Sequence, residues 1–86
     1  MISIEKLYND WVDKKIKCDN YNPLNTKSSK LIFLDLKKEA LYAEQKYIVV
    51  KGTLKRSENN LYVVRADELS REIKITLSII KIIDKI

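Results

Sequence analysis

Residues 47–66, YIVVKGTLKRSENNLYVVRA, decide how the rest of the chain is read. Tyr47, Ile48, Val49, Val50 and Thr53 are residue types that fit a pleated, half-buried surface. Ile48, Val50 and Leu54 share one parity; Tyr47, Val49, Lys51, Thr53 and Lys55 share the other. Such alternation is the signature of a strand with one face covered. Ser57-Glu58-Asn59-Asn60 follows as a tight turn, because asparagine tolerates positive φ. Leu61-Tyr62-Val63-Val64 then resumes the strand. Gly52, in mid-strand, suggests a bulge, a bend or the close approach of another backbone. The register has two solutions, since a slip of one residue turns every side chain over. A three-residue loop at 58–60 is favoured: it puts Tyr62, Val64 and Ala66 on the apolar face and groups Val63 and Arg65 with Lys51, Thr53 and Lys55 outside.

Upstream, residues 3–17 read as an amphipathic helix. Ser3 is the candidate N-cap, and Glu5 lies where a negative charge complements the helix dipole. Ile4, Leu7, Tyr8, Trp11 and Val12 form the apolar face, with Lys6, Asn9, Asp10 and Asp13 opposite. Asp10 and Lys14 form an i,i+4 pair. Trp11 reads as a core anchor against a sheet. Residues 18–30, CDNYNPLNTKSSK, read as a loop broken at Asn22-Pro23. Leu31–Leu36 is the next strand, and a short helix over 36–45 uses the helix-forming run Ala40–Glu44.

Downstream, Asp67–Ser70 reads as a turn. Ile73, Ile75, Leu77 and Ile79 then alternate with Glu72, Lys74, Thr76 and Ser78, the clearest strand pattern in the chain. At Ile79-Ile80 the phase slips. Either a bulge turns Ile80 and Ile82 inward, or a short terminal helix packs Ile79, Ile83 and Ile86. The bent strand is preferred because isoleucine is stiff at χ1. The expected fold is therefore α+β: a small antiparallel sheet, or partly open barrel, of about four to five strands with an N-terminal amphipathic helix and a short second helix.

Eighty-six residues make one small domain, near the lower limit for a core without staples. A single cysteine, Cys18, excludes an internal disulfide framework and points to a reducing, cytoplasmic setting. No apolar run reaches membrane-spanning length, and the N-terminus lacks the pattern of a signal peptide. Net charge is +5, with 14 lysines among the 17 basic residues, which suits a polyanionic partner and equally suits plain solubility.

Tyr47–Lys55, the polar turn and Leu61–Ala66 together resemble the last two strands of an OB-fold, as in single-stranded-DNA-binding subunits and replicative polymerase OB domains. The resemblance covers about 35 residues when the short helix is included. It departs from the family in its N-terminal helix and in the further strand after residue 70. It implies a binder of single-stranded nucleic acid, or a subunit of a nucleic-acid-handling assembly.

The chemistry available is narrow. There is no histidine, hence neither the commonest general base nor the commonest metal ligand. One glycine excludes Gly-rich phosphate loops, and one cysteine excludes a zinc site; no catalysis and no cofactor are expected. Asp67, Glu68 and Glu72 read as solvated acids at a turn. A nucleic-acid site would combine Tyr47, Lys51, Lys55, Arg56 and Arg65 on the sheet face with Lys27 and Lys30 of the loop, aromatic rings stacking bases and cations tracking phosphates. The competing reading is a protein-interaction module. Ile79, Ile80, Ile82, Ile83 and Ile86 are five isoleucines in eight residues, more than one face needs, and an exposed apolar strip there would dock a partner.

Overall fold

The computed structural model describes residues 3–54 and 59–86 and is helical almost throughout. α1 spans Ile4–Asn20, α2 spans Lys27–Leu54 and α3 spans Asn59–Lys85. Among the described residues there is no strand. The expected sheet or OB-like barrel is therefore wrong, and the OB-fold resemblance is one of local sequence only. Leu31–Leu36, the short helix 36–45 and Tyr47–Leu54 are all parts of α2. Leu61–Ala66, the supposed turn Asp67–Ser70 and the strand 71–79 are all parts of α3. The loop assigned to 18–30 shrinks to 21–26.

The alternation that suggested strands has a helical cause. Successive residues of an α-helix are 100° apart, so i and i+2 stand about 200° apart, on nearly opposite faces. A helix that is apolar on two sides therefore alternates over short windows. In α3, Ile73 is buried and Leu77 half-buried, while Ile75 and Ile79 between and beyond them are exposed. In α2, Tyr47 and Ile48 pack in different directions because α2 has a neighbour on each of two sides. β-Branched residues cost a helix only a few tenths of a kcal/mol each. With one proline and one glycine in the whole chain, little else interrupts it.

Thr26 starts α2. Its Oγ1 accepts the Ser29 backbone N–H at 3.2 Å, and its carbonyl accepts the Lys30 N–H at 3.1 Å. The buried Ser29 hydroxyl accepts the Leu24 N–H at 2.7 Å and lies 3.0 Å from the Tyr21 hydroxyl, which pins the connector to the helix. Ser3 does hold the N-cap position of α1, in extended backbone, but makes no side-chain cap. The Asp10–Lys14 pair forms at 3.2 Å.

α2 is the central helix. α1 and α3 both pack on it and, among the described residues, not on each other, giving an open three-helix bundle of 46 × 22 × 20 Å. Its radius of gyration, 14.6 Å, exceeds the roughly 12 Å of a compact chain this long. The α2–α3 seam is built on Leu41, Leu69 and Ile73, with Ile48 and Leu77 against them. Gly52 is buried toward the end of α2, beside a recess lined also by Tyr62, Val63 and Ala66 of α3. Polar contacts set the antiparallel register of that seam. Arg65 grips Glu44 with two bonds of 2.8 and 3.0 Å and reaches Glu68 at 3.1 Å. Gln45 Nε2 donates to Ser70 Oγ at 2.8 Å, and Lys27 Nζ donates to the Asp84 carbonyl at 3.0 Å. α1 is held by aromatic rings: Trp11 stacks on Tyr47 at 5.6 Å and 18°, with Tyr8 at 5.4 Å from the same ring. Trp11 is thus an anchor, as its position on the apolar face predicted, but against a helix.

Candidate protein interface

The residues grouped as a nucleic-acid face are dispersed by this fold, since the sheet that would have aligned them is absent. Tyr47 is buried under α1, its ring already occupied by Trp11 and Tyr8. Lys51 donates to the Tyr47 hydroxyl at 2.9 Å and lies 5.3 Å from its ring centroid. Arg65 belongs to the α2–α3 seam, where hydrogen bonding to Glu44 raises its pKa further above the ordinary arginine value. Lys27 and Lys30 stand at the opposite end of α2 from Lys51, and Lys30 is exposed. The 21 residues from Lys30 to Lys51 correspond to about 32 Å of helix. Lys55 and Arg56 lie outside the described residues.

The isoleucine-rich end is divided in a more informative way. Its strand geometry is corrected to helix, and the helix sorts the five side chains onto two faces. Ile80 and Ile83 are half-buried, Ile80 beside Leu31, Leu36 and Leu77 at the α2 seam. Ile79, Ile82 and Ile86 are exposed. They continue a line that runs the whole length of α3: Leu61, Val64, Glu68, Arg71, Ile75, Ile79, Ile82 and Ile86. The steps are three or four residues throughout, so these positions share one helical face. Its six apolar members are 39–87% exposed. Leu61, Val64 and Ile75 escaped the sequence reading of a partner site. The signal that would have found them is the 3–4 spacing itself, hidden because apolar residues of the same stretch also alternate.

Other chemistry on the molecule is sparse. Cys18 is buried in α1; desolvation pushes its thiol pKa up and Asp19 adds to the rise, with Lys37 opposing. It lies beside a recess between α1 and α2 lined also by Trp11, Phe33, Lys37, Leu41 and Glu44. Glu68 is engaged by Arg65, and among the described residues no group of acids, cysteines or histidines is placed to hold a metal ion. No helix of the described residues is long and apolar enough to cross a membrane.

No protein-family model, curated protein or solved structure matches this chain.

Proposed function

We propose that this chain is a non-catalytic interaction module that holds a helix of a protein partner against the outer face of α3. The observation that carries this reading is the line of six exposed apolar side chains from Leu61 to Ile86. Single exposed leucines or isoleucines are ordinary on protein surfaces; six on one helical face, broken only by Glu68 and Arg71, mark a contact surface. A row with 3–4 spacing is the shape that a second amphipathic helix fits, by laying its own apolar stripe along it. The nucleic-acid reading retains the net charge of +5, and its cations among the described residues share no face.

The test is position-specific photocrosslinking in cells that express the chain. A photoreactive residue at 75, 79 or 82 is expected to trap one discrete protein, and the same residue at the exposed sites 35, 39 or 46 of α2 is not. Ile75→Lys with Ile82→Lys should abolish the adduct made from position 79. Equal trapping from both sets, or trapping that survives the lysines, would refute the assignment. In parallel, labelled single-stranded DNA should show no saturable, salt-steep binding; if it does, and Lys30→Glu weakens it, the cations act as a phosphate site instead.

A further inference from the structure

The partner that the outer face of α3 fits best is the same face of a second copy, and the charges on α3 fix its direction. We infer that two copies pair through α3 in antiparallel fashion about a two-fold axis near Leu69 and Ser70. The inference rests on the docking reading above and deepens it by naming the occupant.

The evidence lies in the polar middle of the stripe. Apolar residues occupy both ends of the line, Leu61 and Val64 on one side and Ile75 and Ile79 on the other. Between them stand Glu68 and Arg71, both exposed, with Arg65 and Glu72 at the edge. Along the stripe itself the order is Glu68 then Arg71; Arg65 and Glu72 flank it on one edge, and Asp67 and Lys74 on the other. A parallel copy would set Glu68 on Glu68 and Arg71 on Arg71, like against like. An antiparallel copy reverses the order, so that Glu68 of each copy faces Arg71 of the other. The same alignment sets Val64 opposite Ile75 and brings Leu61 to within one residue of Ile79, apolar near apolar, twice over by symmetry. A two-fold axis makes an interface self-complementary, so each favourable pair occurs twice. Opposite charges in the middle of an apolar seam fix direction and register rather than add much affinity. Glu68 already accepts from Arg65 at 3.1 Å within its own helix, and its carboxylate has acceptor capacity for a second guanidinium. Ile82 and Ile86 lie outside this overlap.

The experiment is sedimentation equilibrium of the full chain over a wide concentration range. The mass is expected to rise from monomer toward twice that value. Glu68→Arg alone places Arg opposite Arg71, and Arg71→Glu alone places Glu opposite Glu68; each should weaken self-association by roughly 10- to 30-fold. Mixed one to one, the two variants should pair about as tightly as the unaltered chain. In a Cys18→Ala background, Val64→Cys and Ile75→Cys chains should form the mixed 64–75 disulfide in preference to 64–64. A dominant 64–64 product, or charge variants that associate normally, would overturn the antiparallel pairing.

A monomer at every concentration would overturn self-pairing altogether. Ile75→Lys with Ile82→Lys then separates the two ideas. If that variant keeps its helix content and its urea midpoint, the face is free for another protein and only self-pairing falls. If it unfolds, the face is internal to the fold and the docking reading falls too.

Discussion

Ile73 and Ile75 have the same side chain and stand two positions apart, yet the fold assigns them opposite fates. Ile73 is 5% exposed, against Leu41 and Leu69; Ile75 is 59% exposed on the outer face of α3. Replacing isoleucine with alanine removes three carbons, about 2.4 kcal/mol of transfer free energy when the site is fully buried. At Ile73 nearly all of that is lost. The cavity left behind adds about 1 kcal/mol, and alanine's better helix propensity returns about 0.4. Ile73→Ala should therefore cost about 3 kcal/mol. At Ile75 only the covered fraction counts, about 1 kcal/mol, and the propensity gain reduces it to about 0.6.

The measurement is urea unfolding followed by far-ultraviolet circular dichroism, at a concentration where the chain is monomeric. With a slope of about 1 kcal/mol/M, the two midpoints should fall by about 3 M and about 0.6 M. A half-buried strand would place Ile73 and Ile75 on one face, at similar cost. Equal losses for the two variants would refute the helical assignment of α3 and everything built on its outer face. The comparison is robust because the substitution is the same at both sites, so changes in the unfolded chain largely cancel.

Three further outcomes follow from the packing. Arg65→Ala and Glu44→Gln should each cost about 1–2 kcal/mol, since Glu44 is mostly covered and the pair is bidentate; a double-mutant cycle should show coupling, and Arg65→Lys should not restore it. Additive effects would mean the clamp contributes nothing. Tyr47→Ala removes the ring under Trp11, the only tryptophan, so its fluorescence should shift to the red while α2 and α3 stay paired; the helix signal should fall by about α1's share, a quarter. Loss of all helix signal would show that α1 cannot undock alone. Cys18 should react with a disulfide reagent at pH 8 more slowly than a free thiol, because a raised pKa means less thiolate, and should become reactive in urea. Reaction as fast as free cysteine in the folded chain would count against its burial.

Part of this architecture was legible in the residues. α1 was, because Ile4, Leu7, Trp11 and Val12 lie on a single face and leave polar residues opposite. Its end was misjudged at Lys17 because Cys18, Asp19 and Asn20 look like loop formers, and helix ends are the least determined part of any pattern. The start of α2 was legible in Thr26 followed by Ser29, a cap signal overlooked beneath the polar run that surrounds it. α2 and α3 were not legible by periodicity. Leu41 and Ile48 of α2 turn toward α3, while Tyr47 turns toward α1, and Leu34 and Ala43 are buried as well. Two stripes on one helix sum to a pattern with a strong period-two component. The β-branched residues of Tyr47–Val50 and Ile73–Ile83 then tipped propensity toward strand, where tertiary packing overrides it. The isoleucine excess was legible as a surplus, though not as a line, since a line appears only once the period is 3.6.

The openness of the bundle does not by itself account for that surplus. α1 and α3 are both edge helices with a single neighbour, α2. Each therefore has a face that none of the described residues covers. On α1 that face carries Lys6, Asn9, Asp10, Asp13 and Lys17, the composition of a helix that meets water. Ile16, alone there, is unremarkable. On α3 the corresponding face carries Leu61, Val64, Ile75, Ile79, Ile82 and Ile86. Same topology, same exposure, opposite chemistry: the difference lies in the sequence and not in the fold. A chain with a core this small gains no stability from isoleucines left in water, and each such row raises the hazard of non-specific association. A face of that kind fits a helix whose second neighbour comes from another molecule. The Glu68–Arg71 break in the middle is then the feature that keeps the association to one register.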